Sequence, residues 1–65
     1  MALVTFPSCT NQQLFISFLD NNNVVEYEDR DCDVWVQDDV LDHNDNYVSY
    51  VFSLGGYITG KIGFG

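Results

Sequence analysis

Hydrophobic and polar residues in the first third of the chain predict a strand and then a helix. Residues 2–6 are apolar and β-prone, and Pro7 ends them because proline has no amide hydrogen for a sheet ladder. Thr10 and Gln13 have the spacing of a capping box, so we expect a helix over residues 10–20, ending at the asparagines 21–23. Its apolar stripe, expected to face a sheet, is Leu14, Phe15, Phe18 and Leu19.

A period of two in the middle of the chain predicts an antiparallel hairpin. Residues 25–28 alternate apolar and acidic side chains, and residues 32–37 place Cys32, Val34 and Val36 on one face. Residues 28–31 are expected to form the tight connection between the two strands. The polar residues 38–46 then predict a loop, with one helical turn or a capping contact at Val40 and Leu41.

The last third predicts a second hairpin. Residues 47–54 alternate in the manner of a strand, Gly55 and Gly56 give a two-residue turn signal, and residues 57–64 form the return strand. In that strand Ile58, Ile62 and Phe64 are in phase, and Gly60 and Gly63 are typical of positions near bulges or of close backbone approach. The predicted order is β-α-β-β-β-β. The fold class is therefore α+β, with one short helix packed on a mostly antiparallel sheet of four to five strands.

The length allows one domain, residues 1–65. A 65-residue chain buries only about 60% of its unfolded surface, so a homodimer or a bound partner would add to a small core. With 46% hydrophobic and 15% aromatic residues, the composition excludes a disordered acidic tail.

The net charge of −8 is concentrated in one window. Nine of the ten acids lie in residues 26–45, where Arg30 is the sole counter-charge, and residues 1–19 carry no charged side chain. Phosphates and anionic lipids attract clusters of Lys and Arg, so direct binding to nucleic acid or membrane is disfavoured. The apolar runs are shorter than the roughly 20 residues of a membrane span, and the N-terminal residues lack the basic region of a secretory signal. We expect a cytoplasmic protein, in the host cytoplasm if it is viral.

The acidic window predicts a protein-binding surface. Glu26 and Glu28, like Asp31 and Asp33, are two positions apart, which on a strand places carboxylates on one face about 6.6–6.8 Å apart. Such rows can occupy the Lys and Arg that a protein holds ready for DNA phosphates. Trp35 would share a face with Asp33, as an interface anchor or, alternatively, as a core residue under the helix. The expected partner-binding residues are Glu26, Glu28, Asp29, Asp31, Asp33, Trp35, Asp38 and Asp39.

In size, charge and mixed α/β pattern the chain resembles the small acidic nucleic-acid mimics that phages use against host restriction, CRISPR, repair or transcription proteins. The resemblance implies a phage-encoded inhibitor or modulator that covers the basic nucleic-acid-binding surface of a host protein. The alternative is a small structural or virion assembly protein that self-associates through a face formed by Tyr47, Val51 and Tyr57.

The cysteines predict neither zinc nor a disulfide. Cys9 and Cys32 lie 23 positions apart, and His43 is the one histidine, so four zinc ligands and a C-x-x-C spacing are both lacking. In a chain without an export signal, we expect the two cysteines to be buried reduced thiols.

No sequence motif predicts catalysis or a cofactor. Asp29, Asp31 and Asp33 begin like a calcium loop, but Val34 and Val40 stand where that loop needs glycine and glutamate. The oxygen ligands of Asp42, Asn44 and Asn46 predict only weak calcium binding, and His43 is expected to be a solvated loop residue. No glycine-rich phosphate loop precedes a helix. We therefore expect a protein that is not an enzyme and has no cofactor or metal.

Overall fold

A computed structural model describes residues 1–42 and 44–61 as one sheet with helices. In chain order the elements are β1 (Ala2–Thr5), α1 (Cys9–Asn21), β2 (Tyr27–Arg30), β3 (Asp33–Val36), α2 (Asp38–Asp42), α3 (Asp45–Ser53) and β4 (Tyr57–Lys61). The four strands form an antiparallel sheet in the order β2-β3-β1-β4. The α+β class is confirmed, but the order is β-α-β-β-α-α-β, with three helices where one was predicted.

The core lies on one face of this sheet. Alternate residues of β1 and β3 are fully buried there, and all three helices add side chains to the same cluster. Its members are Ala2, Val4, Phe6, Phe15, Ile16, Leu19, Val34, Val36, Leu41 and Val51. The opposite face, which we call the outer sheet face, carries Leu3, Thr5, Asp33 and Trp35, and no helix of the described residues covers it.

Helix α1 corresponds to the predicted helix, but its N-cap and its buried stripe differ. The N-cap is Ser8 in an extended conformation, whose Oγ accepts a hydrogen bond from the Asn11 backbone N at 3.2 Å. The predicted capping box at Thr10 is therefore wrong, because the helix begins earlier, at Cys9. The buried stripe is Gln12, Phe15, Ile16 and Leu19, so Phe18 is half-buried and Leu14 is 46% exposed instead of in the core.

The largest departure from prediction is α3, which replaces the strand expected over residues 47–54. The alternating run also contains a helical i, i+3, i+4, i+7 pattern, in Tyr47, Tyr50, Val51 and Leu54. A helix turns all four toward the core, where Val51 is fully buried and the other three are partly buried around it. Asp45 in the first turn adds a favourable interaction with the helix dipole.

The two glycines expected to make a hairpin instead end α3. Gly55 has a φ of +77°, and its N–H donates to the carbonyl of Phe52, while the N–H of Gly56 donates to Val51. This pair of bonds is the Schellman motif, in which a left-handed residue follows the C-cap. At Gly56 a Cβ would lie 2.7 Å from the Thr5 carbonyl oxygen, so the close approach to β1 also requires glycine.

The hairpin of β2 and β3 is confirmed, with bounds that differ from the prediction. Its turn is the pair Asp31 and Cys32, shorter than expected, and Val25 lies before β2 and is 79% exposed. The predicted helical turn at Val40 and Leu41 is α2.

Strand β4 pairs with β1 and contains one extra residue between Ile58 and Lys61. The irregularity includes Gly60, where the sequence predicted a bulge. The predicted positions Ile62, Gly63 and Phe64, and the loop residue His43, lie outside the described residues.

Candidate partner-binding surface

The β2–β3 hairpin brings carboxylates and the tryptophan together on the outer sheet face. Glu28 lies directly opposite Trp35, and Arg30 lies opposite Asp33. Since cross-strand partners point to the same side of a sheet, all four side chains share this face. Trp35 is half-buried there and is not a core residue under α1, because Val34 and Val36 occupy the inner face. Glu28 and Asp33 are diagonal neighbours on the two strands, and the Cα atoms of such neighbours are about 7–8 Å apart.

Asp31 projects from the turn of the same hairpin. Its φ of +53° is left-handed, as the first central residue of a two-residue hairpin turn requires, and aspartate tolerates this conformation better than most residues. We call Glu28, Asp31, Asp33 and Trp35 the acidic hairpin.

The turn of the acidic hairpin is fixed to α1 by a disulfide and by a buried amide. Cys9 and Cys32 are bonded, with their Cα atoms 4.5 Å apart. The expectation of reduced core thiols is wrong, because the start of α1 lies against the turn and Cys9 is exposed. Gln12 is only 1% exposed, and its Nε2 donates to the carbonyls of Asp31 and Asp33, both at 3.1 Å. The backbone that carries two of the carboxylates is therefore held in place before any partner binds.

Gln12 was missed by the sequence reasoning, although the sequence contains a signal for it. It stands at i−3, i−4 and i−7 from Phe15, Ile16 and Leu19, so it lies on the buried stripe of α1. A glutamine on a buried stripe needs hydrogen-bond partners, and the backbone carbonyls of Asp31 and Asp33 supply them.

The two predicted carboxylate rows do not form. Glu26 precedes β2, and Asp31 lies in the turn, so neither has strand spacing to its neighbour two residues away. Asp29 is in β2 but pairs with Val34, which turns it to the opposite face from Glu28, at the exposed edge. The expected contacts on the hairpin are therefore distributed over the outer sheet face, the turn and the sheet edge.

The remaining predicted contact residues lie around α2. Glu26 and Asp39 line a shallow groove of about 440 Å³ together with Val24, Gln37 and Val40. Asp38 is half-exposed, and its Oδ1 lies 3.6 Å from the Met1 amino nitrogen, which balances part of its charge. Glu26 and Asp39 thus form a second acidic group, whereas Asp38 has a partner within the chain.

Arg30 lies beside the residues of the acidic hairpin, opposite Asp33. Its Nε donates to Glu28 Oε1 at 2.6 Å, with both side chains more than half exposed. Exposed pairs of this kind contribute only about 0.2–1 kcal/mol, so a basic partner can displace Arg30 from Glu28 at small cost.

Asp20, which is outside the predicted contact set, has an internal partner. The Tyr27 hydroxyl donates to Asp20 Oδ1 at 2.9 Å. This hydrogen bond, with some burial and the nearby negative charges of Asp20 and Asp29, raises the pKa of Tyr27 above its ordinary value. The bond joins the end of α1 to the start of β2.

The face predicted for self-association has a different arrangement in the structure. Tyr47, Val51 and Tyr57 do not form a face, because Val51 is in the core and Tyr57 is an exposed residue of β4. Within residues 1–42 and 44–61, no three His, Cys, Asp or Glu side chains are grouped so that they could hold a metal ion. No described helix is long and apolar enough to cross a bilayer.

Comparison with known proteins found no match. No protein-family model, curated protein or solved structure is significantly similar to the chain. We therefore infer function from the geometry and charge of the surface itself.

Proposed function

We propose that the protein is an inhibitor or modulator that binds the basic nucleic-acid-binding surface of a larger protein and excludes the nucleic acid. The supporting observation is that Glu28 and Asp33 share the outer sheet face with the half-buried Trp35, beside a turn that carries Asp31 and is fixed by the Cys9–Cys32 disulfide and by Gln12. The proposed setting is the cytoplasm of a host cell infected by a phage, where restriction, CRISPR, repair and transcription proteins supply such basic surfaces.

The mechanism is electrostatic attraction followed by steric occlusion. A net charge of −8 on 65 residues attracts a basic protein at long range and raises the association rate. In the complex, Glu28, Asp31 and Asp33 pair with cations that otherwise contact phosphates, and Trp35 supplies the apolar contact typical of interface hot spots. Because the turn is already fixed, little conformational entropy is lost on binding.

The orientation of the sheet favours this role for the hairpin. The helices lie on the inner face, so a partner reaches Glu28, Asp33 and Trp35 without displacing any described helix. The second acidic group, Glu26 and Asp39, widens the negative surface beyond the hairpin.

A capture experiment tests the proposal and identifies the partner. The protein is immobilised and exposed to bacterial lysate, and bound proteins are eluted with duplex DNA in one arm and with buffer in the other. The matched control bait is the triple variant E28Q/D31N/D33N, in which asparagine keeps the left-handed turn accessible at position 31. We expect a nucleic-acid-binding protein that DNA releases from the wild-type bait and that the control bait does not retain. Equal recovery on both baits, or no release by DNA, would contradict the proposal.

A further inference from the structure

Helices α1 and α3 together carry only two charged side chains, Asp20 and Asp45, each near one end of its helix. No residue of α1 before Asp20 is charged, and no residue of α3 after Asp45 is charged. A shallow groove of about 480 Å³ runs between the two helices, and its lining residues are Phe18, Asn22, Asn46, Tyr47, Ser49, Tyr50 and Ser53. We call this groove together with Leu14 the neutral helical face.

The groove has an aromatic floor. The ring centroid of Phe18 is 4.6 Å from that of Tyr50 and 5.0 Å from that of Tyr47. Leu14 stands one helical turn before Phe18, on the same side of α1, and is 46% exposed. The neutral helical face therefore combines the exposed Leu14 side chain with an adjacent aromatic groove.

The rim of the groove is self-complementary. Asn22, Asn46, Ser49 and Ser53 carry amides and hydroxyls, which both donate and accept hydrogen bonds. Asn22 Nδ2 and Ser53 Oγ already donate within the chain, to the carbonyls of Phe18 and Tyr50, so the self-complementary contacts rest mainly on Asn46 and Ser49. In a two-fold symmetric interface the same patch meets itself, so groups that both donate and accept can pair with their own copies, whereas like charges would repel. A two-fold axis beside Leu14 would bring the Leu14 of each copy to the groove of the other.

Charge also selects a second copy as the occupant. A basic partner is drawn to the acidic window, whereas another chain of charge −8 is repelled by that window and meets least repulsion at the groove between α1 and α3, whose lining residues carry no charge. The acidic hairpins lie on the outer sheet face, opposite the helices, so this approach keeps them away from the interface.

We propose that the protein forms a homodimer through the neutral helical face. The dimer covers Leu14 and the aromatic groove, and it adds buried apolar surface to a domain whose own core is small. It leaves both acidic hairpins accessible, but its existence does not depend on the proposed inhibitory function.

Sedimentation equilibrium of the full chain tests the dimer. We expect a species of twice the 7.4 kDa chain mass at about 100 μM, and we expect the dimer to tighten as salt rises from about 50 to about 500 mM, because salt screens the repulsion between two acidic chains. Binding to a basic partner must weaken over the same range. The two proposals therefore have opposite salt dependences and can fail separately.

Paired variants locate the interface. Leu14→Asp should weaken dimerisation at least tenfold, whereas Val25→Asp, which adds the same charge at another exposed apolar residue, should not. Ser49→Asp adds a charge to the groove rim without removing an apolar side chain and should also weaken the dimer. Far-UV circular dichroism verifies that each variant is folded. A wild-type chain that stays monomeric at about 1 mM in high salt, or an equal loss in the Leu14 and Val25 variants, would overturn the proposal.

Discussion

The triple variant E28Q/D31N/D33N should bind the captured basic partner about 100-fold more weakly than the wild-type protein. Each substitution removes one charge-assisted contact while keeping the size of the side chain, and three contacts of about 1 kcal/mol each amount to this factor. Most of the loss of affinity should come from a lower association rate constant, because complementary charge at the rim of an interface mainly speeds the diffusional encounter of the two proteins. Surface plasmon resonance at low and high salt measures both rate constants.

The control for this result is D20N/D42N/D45N, which changes the net charge by the same amount. These three acids are the ones outside the predicted contact set. If binding depends on the acidic hairpin, the control variant should bind the partner with an affinity within a few-fold of that of the wild type. If the two triple variants lose affinity equally, binding depends on the net charge of the protein and the acidic hairpin has no special role.

Removing the disulfide with C9S/C32S should lower the free energy of unfolding by about 3 kcal/mol. The cross-link joins residues separated by 23 positions, and closing a loop of that length restricts the unfolded chain by about this amount. In a domain of this size the melting temperature should fall by roughly 12–24 °C. Thermal and urea unfolding followed by circular dichroism measure the effect.

Adding a thiol reductant to the wild type should reproduce the loss, and adding it to C9S/C32S should change nothing. An unchanged melting temperature in the variant would mean that the turn is held without the covalent link. The comparison also bears on the proposed cytoplasmic setting, where thiols are kept reduced and the Gln12 hydrogen bonds alone would hold the turn. Partner binding is therefore measured with and without reductant.

The sequence predicts the first half of the fold better than the second half. Pro7, the helical spacing after it and the alternation in residues 25–37 each favour one structure, and β1, α1 and the hairpin are found there. In residues 47–54 the apolar residues fit both a period of two and a helical period, and β-branched and aromatic residues favour the strand. The burial of Val51 in the core favours the helix, and the local sequence contains no information about that tertiary packing.

The charge of the candidate site was visible in the sequence, but its geometry was not. Nine of the ten acids lie in residues 26–45, and the alternation places Trp35 on the same face as Asp33. The exact turn decides which carboxylates share a face: it was expected at residues 28–31 and is instead Asp31 and Cys32, so Glu28 and Asp33 lie on paired strands while Asp31 does not. The Cys9–Cys32 bond depends on how α1 lies on the sheet, a contact between positions that are distant in the chain.

The most direct test of the central claim is competition between the protein and DNA for one site on the captured partner. A fluorescent duplex is bound to the partner, and the protein is titrated into the complex while fluorescence anisotropy is recorded. Mimicry predicts that anisotropy falls to the value of free duplex, with one acidic hairpin displacing the DNA from each site, and that E28Q/D31N/D33N needs about 100-fold more protein. Anisotropy that stays constant or rises, as a ternary complex forms, would contradict the account.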